Sequence, residues 1–257
     1  MEKIIAELND VRLIYHEPRG ETVAIGGISL KIKRGEFVAI VGPSGCGKTT
    51  LLSMLAGIIT PGSGSVSVLG AKPDARADSI GYMLQKDHLL DWRTIEKNVL
   101  LGLEVKKRLN KQTRDYAYGL LERYGLGEFR KAYPRQLSGG MRQKAALIRT
   151  LAFSPELLLL DEPFSALDYQ TRLLLADEIH GIIKREGYTA VFVTHDISEA
   201  ISMSDRVIVL SSRPAVIRKE IAVELGNKTP LERRNCAQFK DYFDAVWQEM
   251  IKNEEYS

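Results

Sequence analysis

Phe37-Val38-Ala39-Ile40-Val41 and Leu157-Leu158-Leu159-Leu160 are uninterrupted apolar runs, and β-forming stretches recur at Thr189 to Thr194 and Arg206 to Leu210. Runs without polar alternation predict strands covered on both faces. Helical patterns at about 168–185 and 196–203 separate them, and a helix at 48–57 follows the first run. Strands alternating with helices predict a mainly parallel sheet with helices on both sides, an α/β fold. Residues 4–41 read differently. Ile4-Ile5, Val11 to Tyr15, Val23 to Ile25 and Ile28 to Ile32 are clusters of β-formers with breaks at Gly26-Gly27 and Gly35, which predicts several short strands. A further strand, Ser65 to Leu69, follows the punctuation Pro61-Gly62-Ser63-Gly64.

Between 94 and 125 the period changes. Thr94-Ile95-Glu96-Lys97-Asn98-Val99 opens an amphipathic helix, and Tyr116, Leu120 and Leu121 continue at helical spacing, so a helical insertion into the α/β core is expected. Near the end, Thr229-Pro230-Leu231-Glu232 combines a cap, a Pro at the first helical position and a Glu three residues after the cap. A helix over about 230–252 should follow, with Phe239, Phe243, Val246 and Met250 on one face. That face reads as packing on its own domain or as a docking surface.

The chain has 257 residues, 44% of them apolar, enough for one large domain or one domain with an inserted lobe. Net charge is +3 and basic residues are interleaved with acidic ones, which argues against nucleic acid as a partner. No stretch approaches the roughly 20 apolar residues of a membrane span, and the first ten residues carry acids where a secretory signal needs an apolar run. A soluble, cytosolic protein is expected. Cys46 and Cys236 form neither a disulfide framework nor a metal spacing, and four scattered histidines suggest no metal site.

The chemistry concentrates where the first apolar run ends. Gly42-Pro43-Ser44-Gly45-Cys46-Gly47-Lys48-Thr49 is a phosphate-binding loop set between strand and helix, with Thr50 beside it. Its glycines let successive N–H groups face an anion, and the following helix adds the positive end of its dipole. Lys48 would reach the β- and γ-phosphates and Thr49 would hold Mg²⁺. Cys46, at a helix start, reads either as a reactive thiolate or as an inert small residue. The second apolar run ends in Asp161-Glu162-Pro163, at the strand end where a parallel sheet binds ligands. Asp161 can hold Mg²⁺ through water, and Glu162 can polarise an attacking water. Ser138-Gly139-Gly140 starts a helix, and Ser138 can cap it, which makes a second anion site.

In order, the phosphate loop, Gln85, Leu137-Ser138-Gly139-Gly140, Asp161-Glu162, Ser165-Ala166-Leu167-Asp168 and His195 form a series that resembles the ATP-binding cassette (ABC) ATPases over roughly residues 4–225. The resemblance implies a P-loop NTPase core with a mainly parallel sheet, an N-terminal antiparallel β subdomain and an inserted α-helical subdomain at about 86–152. The cassette would span 1–225 and a helical extension 226–257. Gln85 and His195 match the family's γ-phosphate sensors, with Gln85 also linked to Mg²⁺. Residues 165–168 match the loop that couples two sites, and Tyr15 matches the aromatic that stacks on adenine, although a core or surface tyrosine is the alternative. Met141 stands where the family usually has Gln, and Gln143 cannot replace it because it faces another side of the helix.

The resemblance further implies a head-to-tail dimer in which each ATP lies between one copy's phosphate loop and the other copy's Ser138-Gly139-Gly140. Without membrane spans of its own, the chain looks like a separate ATPase subunit on the cytoplasmic face of the cell membrane. Its partners would be permease subunits and a substrate-binding protein. Leu89, Leu90 and Trp92 could line a groove for a permease helix, or Trp92 could anchor the lobe. The pattern Leu89-Leu90-Asp91-Trp92-Arg93-Thr94 with the later run Ser204-Asp205-Arg206-Val207-Ile208-Val209-Leu210-Ser211-Ser212-Arg213-Pro214 is similar to importers of nitrate, sulfonates and taurine, with pyrimidine or thiamine-precursor importers as relatives. The class set against all of these is a non-transport switch driven by ATP-dependent dimerisation.

Overall fold

The computed structural model describes residues 3–17 and 20–251. Strands β1 (Ile4–Glu17) and β2 (Gly20–Lys33) pair antiparallel, and β4 (Ser63–Val68) adds to the other edge of β1, giving a three-stranded antiparallel sheet. The several short strands expected here are thus two strands of 14 residues each. Bulges explain the difference. The register shifts between Leu8 and Val11 and again before Ile14, and Asp10 and Gly27 take positive φ values of 42° and 117°, so the chain passes the glycines with a local kink instead of stopping.

The second sheet contains β3 (Phe37–Val41), β5 (Ile80–Met83), β6 (Leu157–Asp161), β7 (Thr189–Val193), β8 (Arg206–Leu210) and β9 (Ile217–Ala222). Its order is β5-β6-β7-β3-β8-β9, parallel throughout except for β9, which runs antiparallel to β8. The apolar runs are continuous because each strand feeds two cores. Phe37, Ala39 and Val41 join Leu158, Leu160 and Phe192 on one face, whereas Val38 and Ile40 join Leu157, Leu159 and Val193 on the other. The second core also takes Ile5, Leu8 and Ile28 from the antiparallel sheet and Leu51 and Leu52 from α1 (Lys48–Leu55).

The first core extends without a break into the inserted helices α2 (Ile95–Val105), α3 (Lys111–Arg123) and α4 (Gly139–Leu151), through Ile95, Val99, Leu120, Leu121 and Leu147. Thr94 caps α2, and Asn110 with Thr113 forms a capping box on α3. Buried Asn98 accepts from the N–H of Leu90 and donates to the carbonyls of Leu90, Arg93 and Thr94, which fixes the segment before α2. Leu89 is buried in the core, but Trp92 is 76% exposed, so it does not anchor the lobe.

Helices α5 (Tyr169–Glu186) and α6 (Ile197–Met203) complete the cover of this face. The tail differs from the single helix expected over 230–252. It forms α7 (Pro230–Arg234) and α8 (Phe239–Ile251), and residue 252 lies outside the described residues. Arg233 donates to the carbonyls of Ser204 at 2.8 Å and Gly226 at 3.1 Å, which ties α7 down before the chain turns at Asn235. Val246 is fully buried, with Phe239, Phe243 and Met250 packed around it, so the apolar face covers its own domain.

Candidate functional site

The phosphate loop bridges β3 and α1, and its glycines are required by both conformation and space. Gly45 and Gly47 hold φ values of 73° and 117°, and a Cβ on Gly47 would fall 2.9 Å from Ile25 Cδ1. A Cβ on Gly42 would fall 2.9 Å from Cys46 Sγ. Lys48 is 6% exposed and folds back over the loop, donating to the carbonyls of Gly42 at 2.8 Å and Pro43 at 2.9 Å. Among the described residues no carboxylate lies within ion-pair distance of its ammonium, although its charge still acts on the Asp161 carboxyl.

Below the loop, Thr49 Oγ1 donates to Asp161 Oδ1 at 3.1 Å, and Tyr82 donates to Asp161 Oδ2 at 3.4 Å. Burial pushes the Asp161 carboxyl up, the Thr49 hydrogen bond opposes that shift, and the neighbouring Glu162 carboxylate adds to it. Glu162 sits at a φ of 43°, its N–H bonded to the Val193 carbonyl at 2.9 Å. Gln85 Nε2 donates to Glu162 Oε2 at 3.1 Å, and His195 Nδ1 lies 3.3 Å from the same oxygen. Glu162 Oε1 has no hydrogen bond among the described residues.

These side chains face one open cleft of about 600 Å³, lined by Ser44, Gly45, Gly47, Lys48, Thr49, Thr50, Gln85, Glu162, His195 and Arg213. Gly42, Pro43 and Cys46 form the back of the loop, and Asp161 lies beneath Thr49. Tyr15 stands beside the cleft without lining it, 37% exposed and with its hydroxyl 3.5 Å from Thr50 Oγ1. The cleft does not include Ser138, Gly139 or Gly140. There Ser138 caps α4 by accepting from the N–H of Met141 at 3.3 Å. Gln143 is buried and donates to the Gln85 carbonyl at 3.4 Å.

Cys46 departs from the reactive-thiolate reading. It is 1% exposed, and burial raises its thiol despite the nearby Lys48 ammonium, so it is a neutral packing residue. Two contributors were not predicted. Tyr82 reaches Asp161 from β5, and Arg213 lines the cleft from the turn after β8. Arg213 had a readable signal, because it follows the carboxyl end of a strand beside β3, where parallel sheets gather ligands.

The donor set near the loop suits Mg²⁺. The Thr49 hydroxyl, the Asp161 carboxylate and the Gln85 amide oxygen are hard oxygen donors, and a cation there would offset the repulsion between Asp161 and Glu162. The arrangement can hold a polyphosphate against the loop and a water against Glu162.

Comparison with known proteins agrees with this geometry. The ABC transporter family model matches residues 25–165. The chain is 46% identical over 238 residues to the uncharacterized ABC transporter ATP-binding protein YtlC of Bacillus subtilis, covering 92% of each. It is 40% identical over 246 residues to the nitrate import ATP-binding protein NrtD of Synechocystis, covering 93% of this chain and 92% of that one. Among solved structures, a dimeric post-hydrolysis state of an ATP-binding cassette bound to ADP and Pi superposes with a TM-score of 0.75 at 31% identity, covering 86% of this chain and 99% of that one.

Proposed function

The chain belongs to the ABC transporter family, and on that premise we propose that it is the subunit whose ATP hydrolysis energises uptake of a solute through a separate membrane permease. Lys48 and the loop N–H groups of residues 44–49 bind the β- and γ-phosphates, and Tyr15 stacks on the adenine. Thr49, Gln85 and, through water, Asp161 would hold Mg²⁺, which when bound would supply charge neutralisation at the transferring phosphoryl group. Glu162 receives a proton from the attacking water through Oε1. Gln85 and His195 fix the carboxylate by its other oxygen and stand at the γ-phosphate end of the cleft. The observation that carries this reading is the Glu162 carboxylate, held by two partners and facing the same cleft as Lys48.

Glu162→Gln should bind ATP with affinity within about twofold of wild type while losing about 100-fold to 10,000-fold in turnover, the usual worth of a general base. Phosphate release and ATP titration on the same preparation check this, and full turnover by the variant would remove Glu162 from its role.

Two copies would close around two ATP molecules, each copy supplying Ser138-Gly139-Gly140 to the nucleotide on its partner's loop. The dimeric solved cassette supports this arrangement. In this reading the exposed Trp92 near the start of the helical lobe is a surface for the permease, the subunit works on the cytoplasmic face of the membrane, and a substrate-binding protein completes the system. Similarity to a nitrate import protein favours a small anion such as nitrate or a sulfonate over a pyrimidine or thiamine precursor as the solute. A tagged chain drawn from detergent extract should bring permease subunits with it. Recovery of the chain alone would favour an ATP-driven dimerisation switch.

A further inference from the structure

The turn between β8 and β9 carries a cation that the mechanism above does not use. Arg213 donates from Nε to the Gly45 carbonyl at 2.6 Å, so it is docked on the phosphate loop itself, and it lines the nucleotide cleft. The docking uses one of five N–H groups. The remaining guanidinium N–H groups have no partner among the described residues, and Nη2 lies 3.8 Å from where a Cβ on Gly45 would stand.

The turn that presents Arg213 is firmly held. The single proton of Ser211 Oγ is shared between the carbonyls of Ser212 at 2.8 Å and Pro214 at 2.9 Å, and the oxygen accepts from the Val216 N–H at 2.9 Å. Ala215 then exchanges backbone hydrogen bonds with β2, its N–H to Ala24 at 3.0 Å and its carbonyl from Gly26 at 2.9 Å. The approach is close at Gly26, where a Cβ would lie 3.2 Å from both Pro214 Cβ and Val216 Cγ1. An arginine on a turn fixed at both ends loses little freedom on meeting a ligand, and its planar fork suits phosphate oxygens.

We propose that Arg213 is a second phosphate ligand of the nucleotide site, using its Nη groups on the β/γ end of a nucleoside triphosphate while Nε stays on the Gly45 carbonyl. The proposal rests on the reading of this cleft as the ATP site. Lys48 then serves the phosphates from the floor of the loop and Arg213 from its rim.

The test is equilibrium titration of MgATP and AMP into wild type, Arg213→Lys, Arg213→Gln and Arg213→Glu, with thermal melting in the absence of nucleotide to establish folding. Gln keeps an N–H donor for the Gly45 carbonyl but loses the charge. ATP affinity should fall in the order wild type, Lys, Gln, Glu, with Gln about tenfold weaker than wild type, the worth of one charge-assisted hydrogen bond, and AMP affinity unchanged within about twofold. ATP affinity that ignores the charge at 213, or that falls in proportion with AMP, overturns the proposal. Wild type that binds neither nucleotide would instead remove the ATP-site reading beneath it.

Discussion

The loop at 42–47 and the helix start at 138–140 are built from the same material, glycines opening onto the first turn of a helix, and they end in opposite situations. The loop gathers charged groups of its own chain although Ser44 and Gly45 are exposed: Lys48 folds back over it, Asp161 and Glu162 stand beside it, and Arg213 docks on its Gly45 carbonyl. The helix start is exposed at Ser138 and lies outside the cleft. Its glycines answer to a neighbour of another kind. A Cβ on Gly139 would lie 3.1 Å from Leu167 Cδ2 and one on Gly140 3.0 Å from Thr171 Cγ2, so they seat α4 against the loop at 165–168 and the first turn of α5. The groups around the loop all come from one chain, whereas the helix start presents Ser138 at the surface, away from that cleft.

The sharpest way to break that contrast is to disable each site and ask what is lost. Lys48→Ala removes a buried charge that makes two hydrogen bonds, and should weaken ATP binding by about 100-fold or more even in a single chain. Ser138→Asp is the matched lesion. Asp caps a helix as well as Ser, so the fold is kept, but it sets a negative charge where the partner's phosphates would lie. Turnover and ATP-driven dimerisation should fall about 100-fold while a dilute chain binds ATP within about twofold of wild type. Sedimentation with and without ATP reads the first and titration the second. Loss of single-chain binding by Ser138→Asp would mean that the two sites are not separate.

A smaller effect should separate the glycines. Gly140→Val overpacks the contact with Thr171 and should destabilise the fold by about 1–3 kcal/mol in urea unfolding. Neutrality there would show that the glycine serves access to the helix N–H groups and not packing.

The same contrast explains what was readable in the sequence. The loop, Asp161 and Glu162 were legible because each follows an apolar run, and strand ends in a parallel sheet converge on one edge. The continuous apolar runs mark the parallel strands because each strand must satisfy two cores. The antiparallel sheet has fewer and longer strands than the pattern implies at Gly26-Gly27, where a bulge makes a break in pattern compatible with one strand. The tail was misjudged at Asn235, because neither Gly nor Pro marks the turn and the tie from Arg233 to Ser204 and Gly226 is long-range. Arg213 and Tyr82 were missed for a related reason: their roles depend on which strands become neighbours, here β8 beside β3 and β5 beside β6.

The smallest expected effect concerns Cys46, where a local pattern and its surroundings disagree. A helix start and a nearby lysine favour a thiolate, yet the sulfur is packed against Gly42 and burial raises the thiol from its ordinary value of 9.0. Lys48 does not reverse this, because its ammonium is directed to the carbonyls of Gly42 and Pro43 at 2.8 and 2.9 Å, whereas Cys46 Sγ is 3.9 Å away. Iodoacetamide near neutral pH should therefore modify the partly exposed Cys236 first, and Cys46→Ala should leave ATP turnover within about threefold of wild type, the range of a small core change. Mass spectrometry of a labelling time course orders the two cysteines. Labelling of Cys46 ahead of Cys236, with loss of activity that ATP prevents, would mean that the back of the loop around Cys46 opens far more readily than its packing implies.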